Sequence, residues 1–183
     1  MRKSTAAMGT AAFFVVAPGT VAGLIPWLIT SWDVTGSGPL WRIAQVFGAL
    51  LIVAGLVPAV HAFAEFARAG GTPLPLTPTE HLVVTGFNCY VRNPMYVGLL
   101  LVIVGQALLF GSVDLVVYAV VLWCVTASFV RWYEEPTLTR RYGNEYLTYR
   151  RNVRAWVPRL HPWTAGLGQG NDVGGSIARE PRE

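Results

Sequence analysis

Charge is missing from long stretches of this chain, and what little there is gathers at their ends. No residue is charged between Lys3 and Asp33, between Arg42 and Glu65, between Arg92 and Asp114, or between Asp114 and Arg131. A helix that crosses a bilayer needs about 20 consecutive, mostly apolar residues. The pattern predicts spans at roughly 8–30, 41–66, 95–111 and 113–133. Composition agrees: the 183 residues are 53% hydrophobic and only 13% charged, where soluble domains carry about 25% charged residues. The expected class is an all-α integral membrane protein. It has about four transmembrane helices and a short cytoplasmic amphipathic C-terminal helix. One domain is expected over 1–163, with its catalytic half at about 74–160, followed by a Gly-rich, polar and disordered tail over 164–183. The basic Arg2-Lys3 start also suits a signal peptide, but the apolar run is too long and no A-x-A-like site follows it.

Basic residues orient such a chain, because Lys and Arg accumulate on the cytoplasmic side. Arg2 and Lys3 precede the first span, Arg68 and Arg92 lie between the second and third, and seven arginines from Arg131 to Arg159 follow the fourth. The turn Phe110–Asp114 holds no base, and Arg42 is the one dissenter. Both termini are therefore expected in the cytoplasm. The same placement explains the net charge of +4 without nucleic acid, through orientation and anionic lipid headgroups. Cys89, outside the spans, and Cys124, within one, read as free thiols, and no spacing suggests a metal site.

Two polar clusters stand at the ends of spans on this same side. Tyr90-Val91-Arg92-Asn93-Pro94-Met95-Tyr96-Val97-Gly98 opens the third span, and Arg131-Trp132-Tyr133-Glu134-Glu135-Pro136 closes the fourth. Ionisable residues at a membrane boundary face protein, water or a ligand. One helical hairpin joins the clusters and returns both to one face, a layout suited to a charged small molecule beside lipid. Residues 69–80 carry three prolines and read as an irregular connector. Residues 136–150 read as one short helix whose Leu138, Tyr142, Glu145, Tyr146 and Tyr149 share a face. Taken singly, Arg92 and Arg131 also fit interface anchors, Glu134 and Glu135 a solvated helix cap, and Tyr146 and Tyr149 an aromatic belt.

Together, in order, these residues carry a resemblance. His81 through Gly98, then Glu134-Glu135-Pro136-Thr137-Leu138, Tyr142-Gly143-Asn144-Glu145-Tyr146-Leu147-Thr148-Tyr149 and Val157-Pro158 resemble the isoprenylcysteine carboxyl methyltransferase family. Bacterial phospholipid N-methyltransferases belong to the same superfamily. Its pattern is Arg-His-Pro-x-Tyr-x-Gly, a transmembrane hairpin, a Glu-Glu pair and a Phe/Tyr-Gly-x-x-Tyr-x-x-Tyr segment. Here Asn93 replaces the usual His, and Asn88 stands where many relatives have Tyr. An amide still holds a ligand by hydrogen bonds, but it supplies no titrating imidazole.

The resemblance implies S-adenosylmethionine as methyl donor, bound by His81, Leu82, Val83, Val84, Arg92, Asn93, Pro94, Met95, Tyr96, Glu134, Glu135 and Tyr146. It implies a lipophilic acceptor taken from the membrane, with Arg131, Glu134 and Glu135 at the reacting centre. On chemistry, Glu134 or Glu135 suits the donor's cationic group, Arg92 its carboxylate, and Arg131 an anionic or polar acceptor. Methyl transfer needs alignment more than a strong acid or base. A more distant likeness to membrane sterol reductases implies NADPH instead.

Overall fold

The computed structural model describes residues 16–68, 82 and 84–164, with the backbone alone at 59 and 62–68. His81, Val83, the connector 69–80, the start of the first span and the tail beyond Thr164 lie outside the described residues. Every regular element among those described is helical. We label them α1 (Val16–Thr30), α2 (Pro39–Arg68), α3 (Pro94–Phe110), α4 (Val113–Tyr142) and α5 (Asn144–Asn152), with a 3₁₀ turn at Gly86–Cys89. Within α2 and α4, Pro39–Pro58 and Val113–Tyr142 are long and apolar enough to cross a bilayer, while α1 and α3 are shorter apolar helices. Their outer faces are apolar: Val53 is 62% exposed, Val117 56% and Val125 61%. Surface of that kind is stable against lipid.

The interior is held by small residues. Gly48 and Gly55 of α2 face Gly105 and Gly98 of α3, so the two helices run antiparallel in backbone contact. A Cβ at Gly98 would stand 2.6 Å from the Gly55 carbonyl oxygen, and one at Gly105 would stand 2.6 Å from that of Gly48. Lipid tails are as apolar as Leu, so close packing of small residues drives helix association there. Gly98, which closes the first polar cluster, is therefore a packing residue. The α3–α4 turn follows from Gly111, left-handed at φ 74°, and Ser112, whose hydroxyl accepts the Leu115 N–H at 3.3 Å.

Prolines shape the other two long helices. In α1 a π turn, Thr20–Leu24, precedes Pro26, and the Ile25 N–H goes to the Thr20 carbonyl. The Val21 and Ala22 carbonyls lose their usual donors, because proline has none. The Tyr118 hydroxyl donates to Val21 O at 3.0 Å and Gln106 Nε2 to Ala22 O at 2.7 Å. Side chains of α3 and α4 thus dock α1 through the carbonyls its proline releases.

The same device recurs in α4, where a π turn, Val130–Glu134, precedes Pro136. This corrects the sequence reading at two points. Pro136 lies in the first turn of the α-helical stretch Glu135–Tyr142, but that stretch continues α4 without a loop. The single helix expected over 136–150 is instead broken at Gly143, at φ 52° and ψ −124°, where α5 turns away. That conformation suits glycine.

Candidate functional site

Tyr146, Tyr149 and Val153 form a buried core against which Leu82, Val84, Leu138, Tyr142 and Trp163 pack. This is the tyrosine face anticipated from sequence, folded back under the end of α4. Glu145 is exposed and accepts the Leu82 N–H at 2.7 Å. Burial raises the pKa of both Tyr146 and Tyr149, and the nearby Arg92 charge offsets part of the rise. Both hydroxyls therefore remain protonated hydrogen-bond donors. Tyr149 spends its proton on the Asn88 carbonyl at 2.8 Å.

Above this core lies a knot of charge. Arg92 Nη1 donates to Glu135 Oε1 at 2.9 Å and to the Tyr146 hydroxyl at 3.0 Å. The other Glu135 oxygen receives Arg150 Nη2 at 3.2 Å and Arg131 Nη1 at 3.5 Å. Glu135 is 5% exposed, and a carboxylate so buried needs such partners. Three guanidiniums around it leave the knot with surplus positive charge. Arg131 remains 66% exposed at its side chain, facing outward.

Glu134 differs from its neighbour. Its Oε2 is buried without a hydrogen-bond partner among the described residues, and so is Arg92 Nε. Buried polar atoms left without a partner are rare in folded proteins. The first can accept from a further cationic or donor group and the second can donate to a further acceptor.

The remaining expected residues divide. Asn93 is buried, and its Nδ2 donates to the Ala155 carbonyl at 3.2 Å. It fastens the C-terminal segment. Pro94 and Met95 form the first turn of α3, and the Tyr96 ring lies 6.4 Å from that of Trp156. Leu82 and Val84 reach the tyrosine core, not the charged knot. Sequence reasoning missed Arg150 and the strap that follows α5. The signal for Arg150 was present: it sits four residues after Tyr146, hence on the same helical face. The strap runs beside the first cluster, with Arg92 N–H to Arg154 O, Arg159 N–H to Tyr90 O and Trp163 N–H to Cys89 O, each at 2.9 Å.

Comparison with known proteins bears on this arrangement. The family model for phospholipid methyltransferases matches residues 43–145, which takes in α3, α4 and both polar clusters. The chain belongs to the phospholipid methyltransferase family. Among curated members of this superfamily, it is similar to protein-S-isoprenylcysteine O-methyltransferase A of Arabidopsis thaliana, at 33% identity over 64% of this chain and 60% of the relative. It is similar to the Schizosaccharomyces pombe protein-S-isoprenylcysteine O-methyltransferase, at 35% identity over 44% of this chain and 35% of the relative. The Saccharomyces cerevisiae enzyme of that name matches at 27% identity over 64% of the chain and 50% of the relative. The chain thus spans 60% or less of the length of these relatives. No solved structure matches it. The matched family and these relatives are named as methyltransferases, not reductases.

Proposed function

We propose that this protein transfers a methyl group from S-adenosylmethionine to a lipophilic acceptor at the cytoplasmic face of a membrane. The observation that carries the reading is the pairing of an open Glu134 carboxylate oxygen with an open Arg92 Nε inside one buried cluster. A donor with one ammonium and one carboxylate answers both atoms. Glu134 holds the cationic group and Arg92 the carboxylate. Glu135 takes no part in that contact, because its two oxygens are already engaged by Arg92, Arg131 and Arg150. It fixes Arg92 in place, and Tyr146 fixes it from the other side.

When bound, the donor supplies an electrophilic methyl carbon: the acceptor's lone pair forms the new bond as the sulfur leaves with its own electron pair. The chain's task is alignment and exclusion of water. Four helices crossing the bilayer, with both termini in the cytoplasm, put the cluster where a water-borne donor and a lipid-borne acceptor can meet.

Titration calorimetry of the purified full chain tests this, with S-adenosylhomocysteine in one arm and NADPH in the other. Saturable binding of S-adenosylhomocysteine alone is expected. Binding of NADPH alone overturns the proposal.

A further inference from the structure

The strap that follows α5 lies deeper than a surface loop. α3 has 17 residues, about 25 Å of helix at about 1.5 Å per residue, against about 30 Å of bilayer hydrocarbon. With the Gly111–Ser112 turn at one boundary, the first turn of α3 stops short of the other. The strap crosses that short end. Arg154 and Ala155 give their carbonyls to the Arg92 N–H and the Asn93 amide, and Arg159 gives its N–H to Tyr90. Trp156 reaches further down. Its ring lies 6.4 Å from that of Tyr96 in the first turn of α3 and 6.3 Å from that of Trp123 in α4. Trp123 stands midway through the uncharged run from Asp114 to Arg131, about 12 Å along the helix from Arg131. It is exposed on α4 together with Val120, Val121 and Val125. This depth follows from the two helices and is the same whichever side of the membrane the charged cluster occupies.

The side chains next to Trp156 suit that depth. Val157 is 55% exposed and Leu160 93%. Single exposed apolar residues are ordinary. These two differ because the Trp156–Trp123 contact joins them to the apolar outer surface of α4. Pro158, between them, has no N–H to leave without a partner. Arg159 donates from Nη1 to the Asn152 carbonyl at 2.7 Å, so its charge is held at the end of α5. Non-helical backbone at membrane depth is tolerated where protein satisfies it, and the segment from Tyr90 to Asn93 does so for Arg154, Ala155 and Arg159.

We infer that residues 156–160 are inserted in the bilayer, with Val157 and Leu160 among lipid acyl chains, and that this insertion holds Arg92 and Asn93 in place through the backbone of Arg154 and Ala155. The partner is the hydrocarbon of the membrane itself. The insertion is independent of the methyltransferase reading; only its effect on donor binding rests on that reading.

The test uses the full chain in phosphatidylcholine nanodiscs that contain a phosphatidylcholine with a photoreactive diazirine midway along one acyl chain. Label mapped by mass spectrometry is expected on Val157 and Leu160 at levels comparable to Val117 and Val125 of α4, and not on Arg151 or Asn152. The Leu160 side chain is so exposed that replacing it removes almost no protein contact. A carboxylate is expelled from hydrocarbon, so Leu160→Asp is expected to cut the Val157 label and the affinity for S-adenosylhomocysteine by about fivefold or more each. Leu160→Ser replaces it should the first not fold, and Leu160→Phe should keep both. Label on α4 without label on Val157 and Leu160 overturns the inference, because the two side chains then face water, a second copy or another part of the chain. Label retained at Val157 in Leu160→Asp overturns it too. Lost label with unchanged S-adenosylhomocysteine affinity overturns the hold on Arg92 and Asn93. If the parent protein itself fails to bind S-adenosylhomocysteine, the methyltransferase reading falls, and the labelling still decides the insertion.

Discussion

Arg92 Nη1 and Glu135 Oε1 lie 2.9 Å apart, joining a residue two positions before α3 to the residue just after the π turn of α4. Their side chains are 11% and 7% exposed, so the pair closes one end of the helical hairpin with little water to screen it. Breaking a buried pair by removing one partner leaves an uncompensated charge and costs about 3–5 kcal/mol. Glu135→Gln should therefore lower the thermal midpoint in detergent and weaken donor binding together. Glu134→Gln should leave the midpoint nearly unchanged and weaken S-adenosylhomocysteine binding by tens of fold, on the order of 2–5 kcal/mol for a lost charge contact. Differential scanning fluorimetry with calorimetry on both variants checks the division. Equal behaviour of the two would refute the separate roles.

Alkaline stability should depend on the tyrosine core. Burial holds the Tyr149 pKa above its ordinary value of 10.0. A raised folded-state pKa contributes stability fully present below the unfolded value and lost as pH rises through the folded one. The protein should thus lose stability above about pH 10. Tyr149→Phe removes this group and the bond to Asn88. It should be about 1 kcal/mol less stable at neutral pH and lose less between pH 9 and 11. Urea unfolding at several pH values reads both effects.

Gly55→Ala should be among the most damaging one-carbon additions in the chain. Its new methyl would meet the Gly98 carbonyl oxygen and the Val102 side chain. Overpacking typically costs 1–3 kcal/mol, and backbone on the far side yields less than a side chain does. Gly19→Ala has open space around it and should be neutral. Comparative yield and midpoint in one detergent suffice as the assay.

Charge placement makes a prediction about topology. Reporter fusions at Gly36 and Ser112 should score as external, and those at Gly70 and Gly166 as internal. An external score at Gly70 would put the charged cluster on the wrong face for a cytoplasmic donor.

Removing the Gln106 amide should loosen α1. Gln106→Leu leaves the Ala22 carbonyl with neither a helical donor nor its present 2.7 Å partner, a penalty of about 1–3 kcal/mol. Protease sensitivity within α1 should rise while S-adenosylhomocysteine binding by the distant cluster persists.

The helices at 39–68 and 94–110 were legible because an absence of charge is written plainly in sequence. The extent of α4 was not, because Pro136 reads as a helix start unless a π turn ahead of it absorbs the missing bond. Glu134 and Glu135 were indistinguishable for a related reason. Adjacent residues point about 100° apart on a helix, and the π turn sets which of them meets Arg92. Gly98 read as part of a polar motif because its role depends on Gly55, which nothing nearby in sequence marks. The strap was invisible because its bonds to Cys89, Tyr90 and Arg92 are backbone to backbone, and such bonds leave no trace in residue type.

That strap sets an order of assembly. The Arg92 N–H is satisfied by Arg154, the Asn93 amide by Ala155 and the Cys89 carbonyl by Trp163. All three partners are translated after the last long helix. A nascent chain can therefore insert its hairpin and bury its glycine contacts while the segment from Cys89 to Asn93 still lacks the partners that fix it. The charged cluster, which the methyltransferase reading assigns to the donor, is thus completed only after the long helices have been made.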